Sequence, residues 1–272
     1  MTIKLGCHLW TFGQCTVREA AGIIRALGLD YMDLGNAKDL DPVYIAANTA
    51  AEAERFNRLK AETGVTFVDA FPHVTPAFSL NHPDPAMRAA HRPVMTAFFD
   101  FAVLMDLSGV TVSPGRYWPG STPQADFDRG AEELRWLVDQ AARRGLPLRI
   151  EPHIESVTFT PTLTLDMLAA VPGLTLTLDY SHFVFHGAPL DQIAVLDEHA
   201  THWHARQAAL SQANCAFAQG TIDFDRIVAG MKARRYAGGL CLEYVHGTWA
   251  SMDKIDCVTE TVLLRDYLRA RL

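Results

Sequence analysis

Thr201-His202-Trp203-His204-Ala205-Arg206 is the stretch on which the fold turns. In a β-strand successive side chains point to opposite faces. His202, His204 and Arg206 would then share one face, and Trp203 and Ala205 the other. Two imidazoles and a guanidinium in one row suit a dry core poorly, because each needs partners when buried. They suit the rim of a metal site, where neutral imidazole binds the ion and arginine holds a substrate oxygen. A solvated edge strand with chance histidines is the bland alternative. The sequence on either side decides between the two.

Outward from this strand the chain alternates strand and helix from end to end. Ile3–Leu9, Tyr31–Leu34, Thr66–Ala70 and Val110–Val112 read as the first four strands. Leu148–Glu151, Leu174–Asp179, His202–Arg206 and Leu240–Tyr244 read as the second four. Thr16 with Glu19 three residues on has capping-box spacing, and predicts a helix to about Leu27 that ends near Gly28. Val43–Thr63 is alanine-rich and predicts one helix stopped by Gly64. Pro85–Met105 predicts a long helix with a break near Pro93. Pro123–Arg144, Thr164–Ala170, Leu190–His199, Phe224–Arg235 and Met252–Arg271 complete the series. Eight strands, each followed by a helix, predict a parallel sheet closed into a (β/α)8 barrel, a single domain over residues 1–272. An open doubly wound sheet is the runner-up, but no Gly-x-Gly-x-x-Gly follows the first strand.

Composition agrees. A chain of 272 residues with 49% hydrophobic residues fills one barrel. A net charge of −7 argues against a broad nucleic-acid surface. Five cysteines, an odd number with no Cys-x-x-Cys pair, predict free thiols. Met1–Gly6 shows no basic head with a long apolar run, so the expectation is a reducing cytoplasm. No apolar run is long enough for a membrane span.

In such a barrel the catalytic groups sit at the C-terminal strand ends. Strand five ends in Glu151, strand six in Asp179, strand eight in Glu243, and strand seven offers His204. A lone acid at a strand end is ordinarily a solvated loop carboxylate. Four ligand-type side chains on four neighbouring strands are a different matter. Three carboxylates and one imidazole make an oxygen-rich site for one divalent metal ion, with Mn²⁺ first and Mg²⁺, Co²⁺ or Zn²⁺ as alternatives.

Ile150-Glu151-Pro152-His153, Leu178-Asp179-Tyr180-Ser181-His182, His202-Trp203-His204-Ala205-Arg206, Gly220-Thr221-Ile222-Asp223-Phe224 and Leu242-Glu243 resemble the motifs of the xylose isomerase-like TIM barrels. That group holds sugar isomerases, ketose 3-epimerases, inosose dehydratases and apurinic endonucleases. The resemblance covers most of the chain and is strongest from Leu146 onward. It implies that Glu151, Asp179, His204 and Glu243 hold the metal. It also implies that Glu151 and Glu243 are the catalytic acid/base pair on opposite sides of the substrate carbon. By the same resemblance His182 and Arg206 bind substrate oxygens. A metal-adjacent carboxylate stays ionised and keeps a basic oxygen, so the chemistry is consistent. The activity implied is isomerisation or epimerisation of a sugar or keto-sugar through an enediolate. A dehydratase or lyase, inosose dehydratase-like or keto-glycoside-cleaving, would begin with the same proton abstraction. An apurinic-endonuclease-like phosphodiesterase stands further back, since Ser113 occupies the place of that group's histidine before Pro-Gly.

Other residues carry weaker expectations. His153 lies two past Glu151, as a support or a substrate contact. His8, Trp10 and Trp118 would suit an aromatic wall for a sugar, or ordinary packing. His73 could reach the site, His202 could replace His204, and Asp33 stands where the family often has glutamate. The partner expected is a small-molecule sugar or polyol, with no nucleic acid and no membrane. A homodimer or homotetramer is left open.

Overall fold

The computed structural model describes residues 2–73 and 79–272. Eight strands form a closed, all-parallel barrel in sequential order. They are β1 (Lys4–His8), β2 (Tyr31–Leu34), β3 (Thr66–Ala70), β4 (Val110–Val112), β5 (Leu148–Ile150), β6 (Thr175–Leu178), β7 (Ala200–Ala205) and β8 (Gly239–Leu242). Closure is made by β1 on β8, with Lys4 opposite Gly239 and Cys7 opposite Leu242. The runner-up open sheet is excluded.

Helices α1 (Val17–Ala26), α2 (Pro42–Ala47), α3 (Thr49–Thr63), α4 (Pro85–Leu104) and α5 (Pro123–Ala142) serve the first half. Helices α6 (Pro161–Ala170), α7 (Tyr180–Phe185), α8 (Leu190–Ile193), α9 (Phe224–Ala233) and α10 (Cys257–Arg269) serve the second. The capping box at Thr16 and Glu19 is present, with each side chain bonded to the other's backbone N–H. Gly64 ends α3 at φ 71°, a left-handed turn that only glycine adopts without strain.

Four expected helices differ: the Leu190–His199 stretch is α8 followed by a 3-10 helix over Ala194–His199, and the closing helix starts at Cys257 rather than Met252. Val43–Thr63 is two helices, because the Asn48 amide donates to the Tyr44 carbonyl and Thr49 Oγ to the Ile45 carbonyl. Side chains competing for backbone in this way bend or break a helix. Conversely α4 runs unbroken through Pro93. Burial of Met95, Phe98, Phe99 and Phe101 outweighs the one lost backbone bond. Phe101 and Phe56 meet edge-on at 5.5 Å, tying α4 to α3, and Phe56 meets Phe67 of β3 at 6.0 Å.

On β7 the alternation holds, and the solvated-edge alternative does not. His202, His204 and Arg206 are at most 3% exposed. Trp203, on the outer face, stacks on Tyr180 at 6.0 Å. All five cysteines are free. No helix among the described residues is long and apolar enough to cross a membrane.

Candidate active site

Glu151, Asp179 and Glu243 are each the first residue past β5, β6 and β8, and His204 is the penultimate residue of β7. The pleat turns these side chains inward at the C-terminal mouth, where each is buried. His204 Nδ1 lies 2.5 Å from Glu151 Oε1 and 3.5 Å from Glu243 Oε2. Asp179 is held by local structure: its Oδ1 caps α7 by accepting the Ser181 N–H at 2.8 Å, which leaves Oδ2 for the site.

The four expected ligands do not form one compact cluster. Glu151 and Asp179 group with His182, while His204 and Glu243 group with His8, each triad offering atoms within 4.8 Å of one another. Arg206 joins the halves. Its guanidinium lies 3.0 Å from Asp179 Oδ2 and 3.5 Å from Glu243 Oε2. It donates to Ser181 Oγ at 2.8 Å and to the Glu243 carbonyl at 3.2 Å, and lies 3.0 Å from His182 Nε2. Arg206 is therefore held by the protein on several sides, and its orientation is fixed before any substrate arrives.

Beneath this floor is a second polar layer. Asp33 Oδ2 lies 2.7 Å from His202 Nε2 and 3.4 Å from His204 Nε2. His202 thus faces Asp33 below the mouth, and His204 is the histidine that faces the carboxylates. His8 ends β1, and its Nδ1 accepts the Trp10 N–H at 3.2 Å. The same nitrogen lies 3.1 Å from Glu243 Oε1. Two lone pairs that close need a proton or a cation between them. Gly35 makes room for the ring, since a Cβ there would sit 2.3 Å from His8 Cε1.

The field pushes the two glutamates apart. Burial drives the Glu151 carboxyl up, but the charge and hydrogen bond of His204 outweigh it and hold the group well below the usual range. Burial pushes Glu243 up to about 8, with Glu151 and Asp179 adding to it against the pull of His204 and Arg206. Burial likewise raises Asp179, against the pull of Arg206. Burial and His204 lower His8 to about 3, so that ring is neutral.

A divalent cation fits this donor set. Asp179 Oδ2 and Glu243 Oε1 are buried and accept no well-aligned hydrogen bond, although the Arg206 guanidinium lies 3.0 Å from the first. Glu151, Asp179 and Glu243 crowd around one guanidinium, Arg206, and the paired lone pairs of His8 and Glu243 point to the same need. Oxygen donors with one imidazole suit the ions named above.

A cavity of about 320 Å³ opens over the floor. Glu151, His182, Arg206 and Glu243 line its base, and the exposed Arg116 and Glu155 its mouth. Between them lie Trp10, Phe71, Leu80, Met95 and Trp249. His153 lines it too, its Nδ1 2.7 Å from the Ile154 carbonyl and its Nε2 2.8 Å from Ser113 Oγ. Of the expected wall, Trp10 lines the cavity and His8 lies under it. Trp118 stands apart: its indole N–H donates to Asn81 at 3.1 Å and its ring meets His82 edge-on. Phe71, Met95 and Trp249 were not singled out by the motifs, and Ser113, noted only as standing in place of a histidine, lines the cavity as well. Trp249, six residues past Glu243 in the loop after β8, could have been found by position alone.

Residues 21–261 match a protein family described as xylose isomerase-like TIM barrel. No curated protein sequence matches the chain. Among solved structures, D-psicose 3-epimerase in the presence of D-fructose superposes with a TM-score of 0.79 at 17% identity, covering 99% of each chain. The 3-keto-D-glucoside 4-epimerase of E. coli gives 0.76 at 16% identity, covering 99% of this chain and 100% of the other. D-allulose 3-epimerase of Methylomonas sp. with D-allulose gives 0.77 at 17%, covering 100% and 98%. At these identities the likeness is one of fold.

Proposed function

The chain belongs to the xylose isomerase-like TIM barrel family, and from that premise we propose a metal-dependent isomerase or epimerase of a sugar or keto-sugar. The observation that carries the proposal is the pair Glu151 and Glu243. Both face His204 Nδ1, from β5 and β8, under one cavity. Two carboxylates facing one substrate position from different strands can take a proton on one side and return it on the other. The epimerases named among the structural neighbours support the reading.

Glu151, Asp179, His204 and Glu243 would hold the cation. When bound, it would supply Lewis-acid polarisation of a substrate carbonyl and stabilise the charge left by deprotonation. Glu151, held ionised, takes the proton from the carbon beside the carbonyl. Glu243 returns one from the other side. Arg206 and His182 meet substrate oxygens at the base of the cavity.

The test is solvent exchange. Incubated in D₂O with a panel of keto-sugars, the protein will place deuterium on the carbon next to the carbonyl of any sugar it turns over. Turnover without label would sink the enediolate chemistry. Loss of a β-hydroxyl in the labelled product would mark a dehydratase instead.

A second expectation concerns Asp33. A ligating histidine almost always donates its other N–H to a carboxylate or carbonyl, and losing that partner typically costs about 10–100-fold in metal affinity. Asp33 occupies that place behind His204. Asp33→Asn should therefore weaken metal binding by about 10–100-fold in a direct metal titration. Wild-type affinity in a folded Asp33→Asn protein would remove Asp33 from this role.

A further inference from the structure

The cavity does not end above the floor. It runs from Glu151, His182, Arg206 and Glu243, in the second half of the barrel, across to Phe71 after β3, Val112 of β4 and His91 of α4. A substrate that spans it from the floor brings its far end beside α4. His91 and Met95 are one helical turn apart, so they share the face of α4 that the cavity exposes. Met95 is what a packed helix face needs there, and His91 is not. His91 is 3% exposed, and no described residue hydrogen-bonds its ring. The acid nearest in charge is already taken. Glu133 Oε1 accepts from Arg88 Nε at 3.3 Å and from Arg92 at 2.9 Å, and its Oε2 accepts from Arg92 Nε at 3.0 Å. A buried neutral imidazole carries one donor and one acceptor, and leaving both unmet costs stability. The cavity is where His91 can meet them.

The surroundings of His91 suit a hydroxyl and not an anion. Burial lowers the ring to about 4, against the pull of Glu133, so it is neutral. The two arginines of α4, Arg88 and Arg92, are engaged with Glu133 and neither lines the cavity; Arg88 also donates to the His82 carbonyl at 2.7 Å. Arg116 stands at the mouth, open to solvent. Ser79 lines the cavity with its hydroxyl donated to Asn81 Oδ1 at 3.1 Å, which leaves its oxygen to accept. A phosphate or carboxylate beside His91 would lose its water without a cation to replace it. A hydroxyl can donate to a lone pair and accept an imidazole N–H, so its needs are met in full.

We propose that His91 is a specificity residue, hydrogen-bonding a hydroxyl at the end of the substrate farthest from the floor, and that the tail read there is uncharged. This rests on the isomerase or epimerase reading, which puts the carbonyl on the floor, and deepens it by naming what the other end must be. His91 touches none of the reacting atoms. Its part is to choose among sugars that share the same carbonyl end.

The experiment uses the metal-loaded protein and three probes in isothermal titration: D-fructose, 6-deoxy-D-fructose and D-fructose 6-phosphate. The ketone is at C2, so C6 is the far end. His91→Phe keeps a ring and removes both nitrogens. The ratio of fructose affinity to 6-deoxyfructose affinity should fall about threefold to tenfold from wild type to His91→Phe, the worth of one neutral hydrogen bond. Comparing ratios cancels any difference between the free sugars. His91→Gln, which keeps a donor and an acceptor, should restore part of the ratio. Fructose 6-phosphate should bind the wild type more weakly than fructose. An unchanged ratio in folded His91→Phe overturns the role of His91, and so does a wild type that does not bind fructose. Fructose 6-phosphate binding as tightly as fructose overturns the uncharged tail. Should His91→Phe fail to fold, His91→Ala, which only leaves space, carries the same ratio. Deuterium uptake from D₂O beside the ketone, across a panel of keto-sugars, reads the acid–base chemistry separately. Uptake with an unchanged ratio overturns the role of His91 alone. A fallen ratio with no uptake by any sugar overturns the acid–base reading and leaves His91 a binding contact only.

Discussion

Truncating Arg149 to alanine will destabilise the barrel by about 3–5 kcal/mol, the range for breaking a buried ion pair from one side. Arg149 lies on β5 and is 3% exposed. Its guanidinium donates to Asp69 Oδ1 at 2.8 Å, to Thr201 Oγ1 at 2.9 Å and to the Ser108 carbonyl at 3.1 Å. It thereby ties β3, β5 and β7 together inside the barrel. Gly109 leaves the space, since a Cβ there would lie 2.0 Å from an Arg149 nitrogen. Removing the guanidinium strands Asp69, which is 1% exposed and keeps only the Thr111 hydroxyl as a donor. Urea or thermal unfolding measures the loss. Asp69→Leu combined with Arg149→Met should recover much of it, because replacing both charges removes the desolvation penalty along with the attraction. A single Arg149→Ala variant within about 1 kcal/mol of wild type would show that the pair is solvated or dispensable.

Arg149 marks where the sequence stops being legible. The fold could be read because every strand is short, apolar and followed by a helical segment, and only a closed barrel uses that pattern eight times. The mouth could be read because barrel logic singles out the residue after each strand: Glu151, Asp179 and Glu243 stand there. Partnerships across the barrel are another matter. Asp33 and His202 are 169 residues apart and meet at 2.7 Å, and nothing local in either segment announces it. Helix α7 was hidden because it is six residues of Tyr, Ser, His, Phe and Val, too short for a helical period. Its start is set by the same aspartate that strand six seemed to end on. The division of ligands into two triads bridged by Arg206 was equally invisible. Spacing along β7 shows that Arg206 faces inward, but not that Asp179, Glu243 and Ser181 will hold it. Trp118 erred the other way: the aromatic was noticed, and Asn81, 37 residues away, holds it elsewhere.

The largest kinetic effect is expected at the two glutamates. Glu151→Gln and Glu243→Gln keep the size of the side chain and an oxygen toward the site, while removing the basic oxygen. General acid–base catalysis typically contributes about 10²–10⁴-fold, so each variant should lose turnover by that order. The two losses should not multiply in the double variant, because residues acting as one unit are strongly non-additive. Their pH behaviour should differ as well. In the metal-free protein Glu243 titrates near 8 and Glu151 well below the usual range, each for the reasons of burial and charge given above. A bound cation favours the ionised form of both glutamates and needs a neutral His204. Burial opposes the charged His204 ring, but Glu243 and Glu151 hold it protonated in the metal-free protein. Below about pH 8, metal loading should therefore release protons from Glu243 and His204 and almost none from Glu151. Metal titrations at pH 7 in buffers of different ionisation enthalpy measure that release. Glu243→Gln should lower it, and Glu151→Gln should not remove the Glu243 share. Metal content is measured alongside, since glutamine is the poorer ligand and a metal-free variant says nothing about proton transfer. If both variants hold metal and keep wild-type turnover of a sugar that exchanges in D₂O, then neither glutamate moves the proton. The base would then have to be sought among His8, His153 and His182, the remaining titratable groups around the floor.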